Sequence, residues 1–546
     1  NAPGRTLYTT SVSGGRPRIR HRRPPVDARP SARGHVMGTD AHIGDAEPEQ
    51  ETAGPTGDPG GPVKALVRLS GELSTKSRRT RSRFQRRLAD NIRDGLDAHG
   101  LDHTVDRRWS RIFVEGPDEE ILDVLARVFG VSSLSRVEGE CEARLDAIVE
   151  TGRRLFRDRV RGRTYAVRAR RSGEHDFSSR DVNRELGAAL NPGAEVDLDD
   201  PDVTVRVEVR DDRAYLFGRR IPGAGGLPAG VQGSAVALVS GGYDSVVAAW
   251  MALRRGVDVH YLFCNLGGAA YRRLALEVMK ALGDRWSYGL RPRVHVVDFG
   301  GVVEEMHEHV DPSYLQVVLK RMMYRAGSRV AEEIGADALV TGESVGQVSS
   351  QTLTNLRAID EVASVPVLRP LAGFDKEEIM QRARSIGTWE LSSRVREYCA
   401  LTDDPPVTAT TPGRAAREER GLDPAVLELA VSDRDVLDLR GLEPSELAVS
   451  GLFVDDVPDD AVVIDTRDAR AYRDWHAEGA AHRDFSELSE SFRELDPEET
   501  YVLYCEQGTK TAHLAERMQA EGYEAYSVRG GVDGVRRLRE EGEAGT

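Results

Sequence analysis

Lysine is scarce in this chain of 546 residues. Only six lysines occur among its 75 basic residues, and 90 aspartates and glutamates bring the formal net charge to -15. This balance argues against an average surface that attracts nucleic acid. A large excess of carboxylates with few lysines is typical of proteins that stay soluble in concentrated salt, so we hypothesise a salt-adapted source.

Cysteines and long apolar runs are also scarce. The four cysteines Cys141, Cys264, Cys399 and Cys505 are too few and too scattered for a secreted disulfide scaffold, and because no two of them form a CxxC pair, a metal or cluster site has little support. No apolar segment approaches the ~20 residues of a membrane span, and no signal-peptide core is seen. These absences predict a soluble cytoplasmic protein without a membrane partner, in which a cysteine is by default a small buried hydrophobe.

The first 62 residues are predicted to be a disordered extension. Residues 1–36 carry eight arginines and a single acid, Asp27, and lack apolar periodicity. They are either an arm that seeks nucleic acid or an extension upstream of a natural start at Met37, and we favour the second interpretation. At ~150 residues per domain, the 546 residues of the chain predict three or four domains.

Residues 63–114 form the first predicted folded region, which we expect to be ferredoxin-like. A helical stretch from Ser74 to Leu96 locally inverts the acidic balance of the chain. Its seven cations are Lys76, Arg78, Arg79, Arg81, Arg83, Arg86 and Arg87. The stretch is either a solvated helix face or a surface that contacts a phosphate backbone.

Residues 115–222 alternate strand and helix patterns. A strand from Thr164 to Arg170 precedes a helix from Ser179 to Leu190, and two strands, 203–209 and 214–219, are spaced as a hairpin. The segment RARRSGEHDFSSRDVNRELGAAL resembles the THUMP domain of RNA-modifying enzymes. This resemblance implies binding of the 3′ acceptor end of tRNA, with phosphate contacts from Arg168, Arg170 and Arg171.

Residues 233–401 are predicted to be an α/β domain with a doubly wound parallel sheet. The apolar run at 235–239 leads into SGGYDS and then a helical pattern, and a glycine turn at a helix N-terminus is an anion-binding arrangement. Lys320 lies in an apolar helical stretch, which suggests a buried charge with an anionic partner. A strand at 338–341 ends in Gly342 at the sheet edge where such folds bind ligands.

SGGYDS resembles the pyrophosphatase loop (PP-loop) of N-type ATP pyrophosphatases, and TGESVGQVSSQTLTNLRAID with VLKRMM and GFDKEEI resembles the tRNA 4-thiouridine synthase family. The resemblance implies ATP and Mg²⁺ as cofactors, adenylation of uridine 8 of tRNA, and replacement of its 4-oxygen by sulfur. Asp244 is implied to act through magnesium pyrophosphate, and Lys376 matches a further basic position. The implied nucleotide contacts are Leu238, Val239, Ser240, Gly241, Gly242, Tyr243, Ser245, Lys320, Gly342 and Gln351.

A linker at 402–455 is predicted to precede a small α/β domain at 456–546. Cys505 follows the strand YVLY and opens CEQGTKT before a helix, so backbone N–H groups and Lys510 would stabilise a thiolate or persulfide anion. VVIDTRDARAYRDWHAEGA and VRGGVDGVRRL resemble rhodanese segments, which implies that Cys505 carries sulfur. In bacterial family members a cysteine in a matching EYC segment, here Cys399, forms a transient disulfide with it.

The resemblances together predict a tRNA sulfurtransferase that adenylates tRNA and receives sulfur from a cysteine desulfurase. A reductant would reopen the Cys399–Cys505 disulfide, and a homodimer is possible. Two alternatives stay open: a sulfur relay to a sulfur-carrier protein for thiamine thiazole, and a tRNA-binding protein with a degenerate ATPase. The intact SGGYDS disfavours the last.

Overall fold

The computed structural model describes residues 62–108, 111–395, 404–443, 451–454, 457–458 and 460–544. The expected extension up to residue 61 and the candidate Cys399 therefore lie outside the described residues. Among the helices that are described, none combines the length and the apolar character needed to cross a bilayer.

The N-terminal module (63–136) is an antiparallel sheet with helices packed against it; its strand order is β10-β4-β1-β3-β2, in which β10 (Ile221–Pro222) comes from a later segment of the chain. Its elements are β1 (Val63–Leu69), α1 (Gly71–Ser74), α2 (Arg78–Ala98), β2 (Thr104–Arg107), β3 (Arg111–Gly116), α3 (Glu120–Arg127) and β4 (Val131–Arg136). The expected boundary at residue 114 falls inside this sheet because β4 pairs with β1. The predicted basic helix begins at Arg78, since the Ser77 side chain accepts a hydrogen bond from the Thr80 amide as N-cap.

The second module (139–217) is a mixed sheet in the order β5-β9-β8-β6-β7, covered by two helices. Its elements are β5 (Gly139–Glu142), α4 (Leu145–Val160), β6 (Thr164–Ser172), α5 (Ser179–Leu190), β7 (Glu195–Val196), β8 (Val203–Arg210) and β9 (Arg213–Phe217). The predicted hairpin is confirmed, because β8 and β9 pair antiparallel. After it, β10 (Ile221–Pro222) returns to the first sheet and pairs with β4 as an edge strand.

The central module (234–438) has the sheet order β15-β14-β11-β12-β13-β16, in which all pairings are parallel except that of the edge strand β16. Its elements are β11 (Ser234–Leu238), α6 (Tyr243–Arg254), β12 (Asp258–Asn265), α7 (Gly268–Trp286), β13 (Arg293–Asp298), α8 (Gly300–His309), α9 (Leu315–Ile334), β14 (Ala338–Val340), α10 (Leu353–Asp360), β15 (Val367–Leu368), α11 (Lys376–Ile386), α12 (Trp389–Ser392), α13 (Pro412–Glu418), α14 (Pro424–Ser432) and β16 (Asp435–Asp438).

Helices cover both faces of the central sheet, as the doubly wound prediction requires. Along β11, Ala235 and Ala237 point into the core formed with α6, α7 and α11, whereas Val236 points into the core formed with α8, α9 and α10. The expected linker at 402–455 is only partly a linker. It contributes α13, α14 and β16 to this module, because β16 pairs with the otherwise open edge of β13.

The C-terminal module (453–544) is an all-parallel sheet in the order β17-β21-β20-β18-β19. Its elements are β17 (Phe453–Val454), β18 (Val462–Asp465), α15 (Ala469–Asp474), β19 (Ala481–His482), α16 (Phe485–Ser491), β20 (Thr500–Tyr504), α17 (Thr509–Ala520), β21 (Glu524–Val528) and α18 (Gly531–Ala544). Helix α17 packs against α7 of the central module.

Candidate functional site

A glycine-containing turn connects β11 to α6 at the carboxyl edge of the central sheet. Gly241 adopts a φ of +87°, and a Cβ there would lie 3.0 Å from the Cα of Ala275. Gly242 is the N-cap of α6, and its carbonyl accepts a 3.0 Å hydrogen bond from the Ser245 hydroxyl. The turn thus packs tightly on α7 and presents the N-terminus of α6, which is a favourable site for an anion.

A second segment closes over this turn. Gly342 follows β14, and a Cβ at this position would lie 2.5 Å from the backbone carbon of Asp244 and from the backbone nitrogen of Ser245. Farther along the same segment, the Gln347 amide nitrogen donates to Oδ2 of Asp244 at 2.9 Å. The absence of a side chain at Gly342 therefore allows the two motifs to meet.

The two segments border a cavity of about 380 Å³. The predicted residues that line it are Leu238, Val239, Ser240, Gly242, Asp244, Ser245, Lys320, Gly342 and Gln351. Gly241 and Tyr243 do not line it: Gly241 packs against α7, and the Tyr243 ring stacks on Trp389 with centroids 4.9 Å apart. Lys376 is exposed at the first position of α11 and also stays outside the cavity lining.

The cavity lining includes a carboxylate, that of Glu343, for which the sequence motifs predicted no role. Glu343 is 3% exposed and accepts hydrogen bonds from Tyr324 at 2.6 Å, Thr341 at 3.0 Å and Arg369 at 2.8 Å. Burial and the adjacent Glu343 carboxylate raise the pKa of Tyr324 well above its usual range, so the phenol remains a donor. The TGES string was a visible signal, but its partners lie on distant segments.

Lys320 and Cys264 also line the cavity. Lys320 is half-buried on α9, so its ammonium is withdrawn from solvent only in part, whereas the sequence suggested a buried charge. Burial raises the pKa of the Cys264 thiol above its usual range, although the Lys320 ammonium acts in the opposite direction. Cys264 therefore remains a neutral buried thiol, as expected from its default interpretation.

Cys505 lies in a separate cavity of about 460 Å³ in the C-terminal module. It follows β20, and its Sγ accepts a hydrogen bond from the Gly508 amide at 3.2 Å, with the Thr511 hydroxyl 3.5 Å away. Gly508 has a φ of +84°, and a Cβ there would lie 2.5 Å from the Val528 carbonyl oxygen. Lys510, the predicted cation, also lines this cavity. The loop therefore directs N–H and O–H donors at the sulfur.

Most of the predicted cationic residues are exposed. Lys76, just before α2, is exposed, as are Arg78, Arg79, Arg83 and Arg86 on α2 and Arg168, Arg170 and Arg171 on β6, whereas Arg81 is half-buried. Arg87 is likewise half-buried and donates to the carbonyl oxygens of Ala229 at 3.0 Å and Gly289 at 2.8 Å. The Arg87 guanidinium is therefore drawn toward backbone carbonyls of the central region and is less available to a phosphate than its exposed neighbours are.

Four family models match successive segments of the chain, and each segment corresponds to one of the modules described above. Family models match residues 64–135 (ThiI ferredoxin-like domain), 142–218 (THUMP domain), 230–423 (Thiamine biosynthesis protein, ThiI) and 453–538 (Rhodanese-like domain). A tRNA sulfurtransferase of Desulfurococcus amylolyticus is 39% identical over 86% of this chain and 97% of its own length. A tRNA sulfurtransferase of Shigella dysenteriae is 38% identical over 85% of this chain and 99% of its own.

A solved structure is similar as well. The crystal structure of a 4-thiouridine synthetase–RNA complex with bound ATP aligns with a TM-score of 0.60 at 31% identity, covering 69% of this chain and 99% of that chain.

Proposed function

The chain belongs to the ThiI family of tRNA sulfurtransferases, and from this premise we propose that it adenylates uridine 8 of tRNA and then replaces the 4-oxygen of that base with sulfur carried by Cys505. One observation carries the proposal: a single chain holds a phosphate-binding turn in one cavity and a donor-surrounded cysteine in another. Adenylation and sulfur transfer each need one of these arrangements.

For adenylation, ATP occupies the cavity of the central module. The N-terminus of α6 and the Lys320 ammonium favour phosphate oxygens there. Asp244 in the first turn of α6 would repel a bare phosphate, so its carboxylate would hold a Mg²⁺ ion, which would supply the positive charge that neutralises the phosphates. The 4-oxygen of the uracil attacks the α-phosphorus, pyrophosphate leaves, and the oxygen becomes part of an AMP leaving group.

For sulfur transfer, a cysteine desulfurase loads sulfane sulfur onto Cys505. The Gly508 amide and the Thr511 hydroxyl stabilise negative charge at this sulfur. The terminal persulfide sulfur attacks C4 of the base and AMP departs; alternatively, the Cys399 thiolate first attacks Sγ of Cys505, the Cys399–Cys505 disulfide forms, and the terminal sulfur leaves as sulfide, which makes the same attack on C4. In the direct route, Cys399 attacks Sγ of Cys505, both electrons of the S–S bond pass to the sulfur on the base, and a reductant reopens the resulting disulfide.

The RNA is held by the first two modules. Exposed arginines on α2 and on β6 provide phosphate contacts, and the THUMP match supports placement of the acceptor end on the second module. The related 4-thiouridine synthetase was crystallised with RNA and ATP, which supports both ligands here.

The decisive experiment is mass spectrometry of tRNA nucleosides from a strain that lacks this protein. The strain should lose 4-thiouridine, and the wild-type chain should restore it. Retained 4-thiouridine in the deletion strain would refute the proposal.

A sulfur relay to a sulfur-carrier protein is a second candidate function, favoured by the name of the matching family model, Thiamine biosynthesis protein. Incubation of the persulfide-loaded chain with an adenylated carrier protein should then convert the carrier terminus to a thiocarboxylate, as seen by mass spectrometry. An unmodified carrier would leave only the tRNA function.

A further inference from the structure

Helix α7 of the central module begins without a cap from its own segment. Its N-cap is Gly267, which has no side chain to accept a hydrogen bond from the first turn. The first amides of a helix have no partner within the helix and need an acceptor from elsewhere. Because the N-cap is a glycine, its side chain cannot be the acceptor for these amides.

The acceptor comes from the C-terminal module. Oε2 of Glu516, on α17, accepts a 2.9 Å hydrogen bond from the amide of Ala269, a residue 247 positions earlier in the chain. Nδ1 of His513, one turn before Glu516, lies 3.9 Å from the same carboxylate oxygen. Contacts with His513 and with the Ala269 amide hold the pKa of Glu516 below its usual range, so the group is ionised at neutral pH. A carboxylate at a helix N-terminus is also favoured by the helix dipole.

Gly268 makes room for this contact. A Cβ at Gly268 would lie 2.1 Å from Oε2 of Glu516 and 2.5 Å from Nδ1 of His513, and the residue has a φ of +68°. Any side chain at this position would therefore displace the carboxylate. The Gly267-Gly268 pair is thus shaped for a partner that approaches from the other module.

The contact joins two helices, and each of them borders one of the candidate cavities. Leu266 and Tyr271, on either side of the start of α7, line the nucleotide cavity, and the Tyr271 hydroxyl donates to the Ser240 carbonyl oxygen at 3.1 Å. On the other side, α17 begins at Thr509, four residues after Cys505. The Glu516 contact therefore joins the helix that borders the phosphate-binding turn to the helix that follows the sulfur-carrying cysteine.

We propose that Glu516 is a positioning residue that docks the rhodanese module on the N-terminus of α7, so that the persulfide of Cys505 reaches the adenylated base. The effect on sulfur transfer rests on the proposed function, whereas the contact between Glu516 and Ala269 does not. Glu516 lies outside the lining of the Cys505 cavity, so its role is to place that cavity and not to take part in its chemistry.

The contact is tested by amide hydrogen exchange on the full chain. Glu516→Ala should accelerate exchange in the peptide that contains Ala269, by about tenfold if the cap has the usual strength. Glu490→Ala, which removes an exposed carboxylate from α16 of the same module, should leave that exchange unchanged. Unchanged exchange in Glu516→Ala would overturn the docking contact, irrespective of the tRNA thiolation activity of the variant.

The positioning role is tested by single-turnover sulfur transfer. In Glu516→Ala, thiolation from a preloaded Cys505 persulfide should fall at least about tenfold, because small misplacements of reacting groups cost about 10² in rate. Desulfurase loading of Cys505, tRNA-dependent pyrophosphate release and thiolation by added sulfide should match those of Glu490→Ala. Glu516→Gln, which keeps an acceptor oxygen without the charge, should recover part of the rate.

Two outcomes would overturn the positioning role. One is wild-type transfer in Glu516→Ala despite faster exchange at Ala269. The other is an equal fall in pyrophosphate release, which would show that Glu516 acts through the nucleotide cavity. Failure of the proposed function itself would appear differently, as full persulfide-driven thiolation in a Cys505→Ala chain.

Discussion

The side-chain amide of Gln347 donates a 2.9 Å hydrogen bond to Oδ2 of Asp244. This bond joins the segment after β14 to the first turn of α6, so the two most distinctive motifs of the sequence act as one site. Because the bond holds Oδ2, it orients the Asp244 carboxylate before a ligand binds. Preorganisation of this kind is what positioning of a metal–phosphate complex requires.

Asp244→Asn should abolish adenylation. The asparagine keeps an oxygen that can accept from Gln347 but loses the charge that suits Mg²⁺, so tRNA-dependent pyrophosphate release should fall by about 10² or more. Gln347→Ala should give a smaller fall, about tenfold, since it removes only the orienting bond. Asp199→Asn, at an exposed position of the second module, is the matched control. Normal pyrophosphate release in Asp244→Asn would contradict the assignment.

Much of the central module could be predicted from sequence, because its buried parallel strands are short apolar runs and its phosphate-binding turn is a local motif. The predicted strand at 235–239 and the strand at 338–341 correspond to β11 and β14 within one residue. Local motifs also placed Cys505 correctly in a loop that opens a helix. Such features are encoded by neighbouring residues.

The remaining features depend on contacts between distant residues. Tyr243 belongs to the SGGYDS motif, yet its ring stacks on Trp389 and leaves the cavity lining. Arg87 belongs to a run of cations, yet its guanidinium is engaged by carbonyls of Ala229 and Gly289. Side-chain direction and partners more than 100 positions away are set by tertiary packing, which a charge run or motif does not encode.

Cys505→Ala should separate the two half-reactions. Removal of the sulfur should abolish thiolation supplied by a desulfurase and leave tRNA-dependent pyrophosphate release intact, because the nucleotide cavity lies in another module. Thiolated nucleosides and pyrophosphate are measured in the same reaction. Full desulfurase-driven thiolation in this variant would refute the role of Cys505.

Thr511→Val should weaken the same step without abolishing it. The Thr511 hydroxyl lies 3.5 Å from Sγ of Cys505 and 2.7 Å from the Ser527 hydroxyl, so valine removes a donor at nearly constant volume. Loss of one such hydrogen bond, worth about 1 kcal/mol, should slow persulfide-driven thiolation about fivefold. Pyrophosphate release serves as the internal control, and an equal loss of both activities would point to misfolding.

Glu208→Ala should destabilise the two N-terminal modules. The Glu208 side chain on β8 is 3% exposed and forms ion pairs with Arg68 at 3.1 Å and Arg111 at 2.7 Å, both on the first sheet. Removal of the carboxylate leaves buried guanidinium groups without it, which costs about 3–5 kcal/mol in comparable sites. Urea unfolding measures the change, and Glu142→Ala, at an exposed site on β5, is the control. Equal stability of the two variants would contradict the prediction.

Stability should increase with ionic strength if the acidic surface reflects adaptation to salt. The net charge of -15 produces self-repulsion that salt screens, and at ~1 M salt the Debye length is only about 3 Å. Exposed arginines on α2 would still contact RNA at short range. Thermal unfolding and thiolation rates between low salt and ~1 M salt check this expectation, and optima at low ionic strength would contradict it.

His295 should make stability depend on pH in a window above that of the carboxylates. Burial, reinforced by Arg434, by His260 and by Arg293, lowers the pKa of His295 to about 4, and burial also lowers the pKa of the adjacent His260. An unfolded histidine has a pKa of about 6.5, so between pH ~6.5 and 4 the unfolded chain binds a proton that the folded chain does not.

The free energy of unfolding should therefore be constant with respect to His295 above pH ~6.5 and fall as the pH drops from ~6.5 to ~4. His295→Asn keeps an oxygen that can accept the hydrogen bond that Arg434 Nε donates to Nδ1 at 3.2 Å, but it does not titrate. Urea midpoints measured from pH 7 to 5 should fall less steeply in this variant than in the wild type. Glu208 supplies an internal comparison, because its pKa is lowered and its stabilisation is lost only below about pH 4.5. Identical slopes in wild type and His295→Asn between pH 7 and 5 would show that the buried histidine pair does not govern this window.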